Sequence, residues 1–161
     1  MKTVLLAAAL ALALAAPAAA VERYPIEPSA IGGVKVGATA AQAKAKLGAA
    51  RVDHLEGGLM RLVFAKARTE VYFKEGGTKA LGVVTWNKGY ATAAGIGPCS
   101  PVADLKAAYA GKVKPFKSGG AVVAYRFGNL TFTAEGKTVG AVMLSAGGLS
   151  PFVALNATEC R

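Results

Sequence analysis

Two cysteines, a single histidine and nine carboxylates are the residues of this chain that could do catalytic or metal chemistry. His54 and Cys99 have the right types for a Cys–His pair, in which the imidazole takes the thiol proton. Asp53 and Glu56 flank His54, a composition that suits a cation, but the D-H-x-E spacing fits no zinc pattern and reads as a solvated loop. No G-x-S-x-G elbow is present to raise a nucleophilic serine. Gly95-Ile96-Gly97 stands before a helix as a phosphate loop would. Pro98 and Cys99 follow instead of a third glycine or a Lys-Ser/Thr pair, and Pro98 removes a backbone donor, so the stretch reads as a strand-to-helix turn. The expectation is a protein that is not an enzyme, with no catalytic residue, cofactor or metal. A hydrolase dependent on His54 is the weakest alternative.

The elements that would position any site begin after an export signal. Lys2 supplies a positive start, Val4 to Ala16 is an unbroken apolar run, Pro17 ends it, and Ala18-Ala19-Ala20 is an A-x-A cleavage site. The run is shorter than the ~20 residues of a membrane-spanning helix. Residues 1–20 are therefore expected to be a signal peptide of bacterial type, with cleavage near Ala20 and a mature chain from Val21. The mature protein is expected to be secreted or held in the periplasm or cell envelope, with no transmembrane segment. In an exported chain, an even cysteine count points to a Cys99–Cys160 disulfide, with two free thiols as the alternative. The bridge would make Cys99 inert as a nucleophile. Nineteen Lys and Arg stand against nine Asp and Glu, and without Lys2 the mature side chains carry +9. The cations are spread along the chain, as on a solvated basic surface that favours anionic partners.

Thr39 and Gln42 form a T-x-x-Q capping box, and Ala40, Ala43 and Leu47 follow on one helical face before Gly48 stops the helix. Strands are expected at Ile31–Val36, Leu59–Lys66, Thr69–Glu75 and Lys79–Asn87, with Gly76-Gly77 as a hairpin and the Met60, Leu62, Phe64 set facing inward. A second helix is expected with Ser100 as cap and Pro101 at its first position. Its face, Val102, Leu105 and Tyr109, matches Ala40, Ala43 and Leu47 at an offset of 62 residues. Further strands follow at Ala121–Phe127, Leu130–Ala134 and Thr138–Ser145. Asn129 begins an N-x-T sequon, as does Asn156, and is read as a turn residue. The fold class is α+β: two tandem repeats, each a short helix on an antiparallel sheet of three or more strands, over 21–92 and 93–161.

The segment Val34-Lys35-Val36-Gly37-Ala38-Thr39-Ala40-Ala41-Gln42, closed by Leu47-Gly48, resembles the V-x-V-G-M-T-x-x-Q-V motif of a known group. That group holds the β-lactamase-inhibitor-protein-like domains and the small lipoprotein of the outer-membrane barrel-assembly machinery. The match covers about eighteen residues of the first repeat; Ala38 replaces the motif's Met, and the second repeat has Pro98-Cys99-Ser100-Pro101 without Thr-x-x-Gln. The resemblance implies a helix packed on an antiparallel sheet and a tendency toward protein binding. It carries over no binding residue, and there is no lipobox cysteine.

Two surfaces are candidates for binding. One is the junction Trp86-Asn87-Lys88-Gly89-Tyr90, an aromatic pair beside a cation. The other is the wet face of the first sheet, with Arg61, Tyr72 and Lys74. Lys112, Lys114 and Lys117 read as decoration on a loop. The expected function is non-catalytic binding of an extracytoplasmic protein, inhibitor-like in manner. The alternative is electrostatic association with an anionic envelope polymer. No nucleic-acid partner is expected.

Overall fold

A pair of glycines sets the start of the fold. Gly32 and Gly33 both take positive φ, 57° and 74°, the combination that reverses a strand in two residues. What reads as one strand from Ile31 to Val36 is therefore two short ones, β2 (Ala30–Ile31) and β3 (Val34–Lys35), and β1 (Ile26–Glu27) pairs with β2 to complete a three-stranded sheet. The structure is a computed structural model that describes residues 25–147, 149–155, 157 and 160. The expected signal peptide, the expected cleavage near Ala20 and the second sequon's Asn156 lie outside the described residues.

Helix α1 (Ala40–Leu47) starts at the expected box: Gln42 N donates to Thr39 Oγ1 at 3.2 Å and Thr39 N to Gln42 Oε1 at 2.8 Å. Four strands follow, β4 (Arg51–Leu55), β5 (Leu59–Phe64), β6 (Thr69–Lys74) and β7 (Ala80–Thr85). Helix α2 (Val102–Ala108) precedes four more, β8 (Lys114–Ser118), β9 (Ala121–Phe127), β10 (Leu130–Glu135) and β11 (Thr138–Ser145). Pro101, not Ser100, occupies the cap position of α2 and offers no side-chain bond. Ser100 Oγ instead accepts from Gly97 N at 3.0 Å, which tightens the turn leading into the helix. All eight long strands join one antiparallel sheet in the order β4-β5-β6-β7-β11-β10-β9-β8. The seam between the two runs pairs Val84 with Met143 and Val83 with Leu144.

One face of the sheet packs against both helices and the small sheet. Leu62, Phe64, Val71, Phe73 and Val83 from the first run, with Leu130, Phe132, Val142 and Leu144 from the second, bury against Ile31, Ala43, Tyr90 and Leu105. The Met60, Leu62, Phe64 set faces this core as expected, with Met60 only partly covered. Tyr109 docks α2 by its ring, 4.4 Å from Phe127 between centroids, and its hydroxyl donates to Thr92 Oγ1 at 2.8 Å.

The opposite face is covered over its centre by the chain's end. Leu149, ahead of a 3-10 turn (Pro151–Ala154), and Ala154, the last residue of that turn, bury with Tyr72, Val84, Ala141 and Met143. Gly82 is what lets Leu149 settle there, since a Cβ at this position would lie 2.7 Å from Leu149 Cδ2. A Cys99–Cys160 disulfide with a Cα separation of 5.2 Å ties this end to the lead-in of α2. Cys99 itself sits at φ 69° and is held to β11, its N–H donating to Val139 O at 2.7 Å. No helix among the described residues is long and apolar enough to cross a membrane.

Replacing both cysteines (Cys99→Ser with Cys160→Ser) should lower unfolding free energy by about 4 kcal/mol, the loop-closure value for a bridge of this span. Dye binding to the uncovered Tyr72–Met143 face should rise at the same time. Chemical denaturation with a hydrophobic probe checks both, and unchanged values would show that the terminal segment holds its place without the bridge.

Candidate functional site

The face opposite the helices carries the charged side chains that the sheet organises. One cross-strand row runs through all eight strands: Lys114, Arg126, Thr131, Met143, Val84, Glu70, Val63 and Arg51, each opposite the next. Its middle is apolar or buried and its ends are basic. A neighbouring row sets Asp53 opposite Arg61 and Arg61 opposite Tyr72.

Because residues opposite one another on a pleated sheet stand within reach, the first half of this face forms a closed ionic ladder. Arg51 Nε lies 3.0 Å from Asp53 Oδ1, Arg61 Nη2 lies 3.0 Å from Asp53 Oδ2, and Arg61 Nη1 lies 3.1 Å from Glu70 Oε1. Tyr72 donates its hydroxyl hydrogen bond to Glu70 Oε2. Burial alone would lower the Arg61 pKa, but its hydrogen bond with Tyr72, the charge of Glu70 and its hydrogen bond with Asp53 outweigh that and leave it raised. The Tyr72 phenol is pushed well above its ordinary range, first by burial and then by its bond to Glu70 and that carboxylate's charge. At neutral pH Arg61 is charged and Tyr72 protonated, as their ordinary pKa values already require, and both shifts extend that state toward alkaline pH.

The residues expected to form binding surfaces separate in space. Arg61 and Lys74 do lie on this face, Arg61 partly buried within the ladder and Lys74 exposed. Tyr72 is only 1% exposed, because the terminal segment covers it, so it supports the face without presenting itself. Trp86 is half-buried at the border of the same apolar cluster, and Lys88 is exposed. Tyr90 is 2% exposed and belongs to the core on the helix side. The turn after β7 causes the split. Asn87 Oδ1 accepts from Gly89 N at 2.9 Å and Asn87 O from Tyr90 N at 3.0 Å, which carries Tyr90 off the face that holds Trp86. Trp86, Lys88 and Tyr90 therefore do not make one surface.

The chemistry considered for His54 and Cys99 does not assemble. His54 Nδ1 lies 3.0 Å from Glu75 Oε1 on an exposed strand end, and Cys99 is in the disulfide. Asp53 neutralises arginines. The Gly95-Ile96-Gly97 turn spends its donors internally: Gly95 N on Thr92 O, Ile96 N on Thr92 Oγ1, and Gly97 N on Ser100 Oγ.

Alternation in β6 puts Glu70 on the same side as Tyr72 and Lys74, but Asp53, Lys114, Arg126, Phe116 and Phe152 were not assigned to this face by sequence patterning. The pairing that gathers them depends on β4 and β8, whose Gly57-Gly58 and Gly119-Gly120 connections are hairpin dipeptides of the same kind as Gly76-Gly77. Those dipeptides are the signal that would have found both strands.

Arg61→Ala strands Glu70 on a largely buried site and should cost about 2 kcal/mol. Arg51→Ala, at a far more exposed position, should cost under about 0.5 kcal/mol. Urea denaturation of the two variants compares them, and equal costs would mean the ladder is not stabilising the sheet. A phenol whose folded pKa is raised contributes stability that is complete below its unfolded value near 10 and is lost as pH rises through the folded value. Alkaline titration followed at 295 nm should accordingly show a late tyrosine that ionises only with unfolding, and Tyr72→Phe should remove that late component.

Comparison with known proteins returned no match, whether to a family model, a curated protein or a solved structure.

Proposed function

We propose that this is an exported, non-catalytic binding protein that presents the ladder-bearing face of its eight-stranded sheet to a protein partner, in the inhibitor-like manner that the Val34–Gln42 resemblance implies. The observation that carries the reading is the closed ladder Arg51–Asp53–Arg61–Glu70–Tyr72. Charged groups on a main-chain scaffold, fixed to one another before any partner arrives, lose little freedom on binding, and a preorganised surface of this sort favours specific association. Lys74 and the half-buried Trp86 border it, giving the aromatic and cationic composition common at interface anchors.

The chain is further read as two tandem repeats, over 21–92 and 93–161. Each short helix precedes a four-strand antiparallel run, and the last strands of the two runs pair with one another, which supports that reading. The export signal and the disulfide make the periplasm, cell envelope or medium the working compartment.

The mature chain from Val21 should retain one protein from the host's envelope or culture fluid through a high-salt wash. A bulky maleimide on Lys74→Cys should abolish that retention, and the same label on Lys46→Cys, on the helix side, should not. Release of all bound material by salt would instead favour the anionic polymer, and capture indifferent to the Lys74 label would remove this face from the reading.

A further inference from the structure

The two halves of the ladder-bearing face are not electrically alike. Each half carries a cluster of cations set close in register, and in the first half Lys74 stands exposed apart from that cluster, at the end of β6. In the first, Arg51 and Arg61 are joined through Asp53, and Arg61 also meets Glu70. In the second, Lys114 stands directly opposite Arg126 across β8 and β9, and its neighbours in register on this face are Thr131, Ala124 and Phe116. Among the described residues no ion pair engages Lys114 or Arg126, and both are exposed. Like charges placed directly opposite on a sheet destabilise it, so this arrangement costs the fold something that an external anion would relieve.

The surroundings narrow what that anion belongs to. The Arg126 guanidinium lies 5.0 Å over the Phe116 ring, which leaves its forked edge free to meet a planar carboxylate. Phe116 meets Phe152 edge-on at 5.9 Å, and Phe152 is 50% exposed. On the other side of Arg126 a cavity of about 220 Å³ opens between Asn129, Thr131, Met143 and Leu149, large enough for one side chain. Lys106, the nearby cation on α2, lies over Tyr125 on the helix side and does not extend the pair. Two cations beside an exposed ring and a side-chain-sized cavity fit a single carboxylate with an apolar neighbour better than they fit the regular charges of a polymer.

We infer that the Lys114–Arg126 pair, with Phe116 and Phe152, is the anchor point for an acidic segment of the protein partner, one Asp or Glu seated on the two cations and an adjacent apolar side chain against the rings. The inference rests on the ladder-bearing face being the docking surface. It names the partner's chemistry and the half of the sheet where that partner engages.

The test uses the mature protein and two synthetic peptides, acetyl-Phe-Glu-Ser-Glu-amide and its Gln counterpart, followed by NMR at the Arg126 side chain and the two phenylalanine rings. The Glu peptide should shift these signals and the Gln peptide should not. Lys114→Gln or Arg126→Gln should weaken binding about tenfold, whereas Arg51→Gln in the neutralised half should change it by less than about twofold. Equal binding of the two peptides, or equal loss with Arg51→Gln, overturns the inference. So does a polyphosphate that binds regardless of Arg126→Gln, which would point to a polymer surface. In partner capture, retention blocked by the Lys74 label but unaffected by Arg126→Gln would sink the anchor and leave the docking face standing. Retention unaffected by either change would sink the docking face itself.

Discussion

The pairing of β7 with β11 is the constraint on which the rest of this structure depends. Both strands are buried along nearly their whole length, from Ala80 to Thr85 and from Val139 to Leu144. A strand apolar on both faces needs cover on both faces and a partner on both edges. Neither four-strand run could supply that alone, because β7 and β11 each end their own run. Joining them puts the most apolar strands at the centre of one sheet and leaves β4 and β8, the most exposed, as its edges. The edges are protected by composition: β8 carries Lys114, Pro115 and Lys117, and charge with proline on an edge discourages pairing with another chain.

That central placement also decides what happens on the two faces. On one, short helices cover the sheet, each burying a single residue fully, Ala43 in α1 and Leu105 in α2. Helices this short do not persist unaided, and their stability comes from the sheet they sit on. On the other face the buried centre, Tyr72, Val84, Ala141 and Met143, would be left wet without the chain's end. The terminal segment covers it, and the disulfide fastens that cover. The remaining flanks are where charge collects, paired with carboxylates at Arg51 and Arg61 on the β4–β6 side and, among the described residues, without ion pairs at Lys114 and Arg126 in β8 and β9. The proposed docking surface uses this division: the covered centre stiffens the face, and the flanks are left uncovered.

Much of the fold was legible because local signals agreed with one another. The Thr39–Gln42 box forms with both of its bonds, and β9 and β11 run over the expected residues. The bonded cysteines match the disulfide expected from their even count. Strands β4 and β8 were missed because Arg51–Leu55 and Lys114–Ser118 are polar, half-exposed edge segments with little apolar alternation, and only the Gly57-Gly58 and Gly119-Gly120 hairpin dipeptides beside them mark their place. Tyr72 alternates as a solvent-facing residue in β6, yet it is buried by a segment almost eighty positions later. Tyr90 lies close to Trp86 in sequence but on the other side of the sheet, because an Asn87 turn intervenes.

Composition, periodicity and capping by themselves determined that this chain makes two short helices and a set of antiparallel strands, that its two cysteines can join, and that the cationic excess must lie on its surface. These properties depend on neighbours a few residues apart, and they are written in spacings of two, three and four. Tertiary structure alone decided that the eight long strands form one continuous sheet, which tyrosines are covered, and that Asp53 and Glu70 neutralise arginines while Lys114 and Arg126 face each other with no carboxylate paired to them among the described residues. Those outcomes are set by strand register and by the return of the chain's end, contacts between residues far apart in sequence that no local pattern encodes.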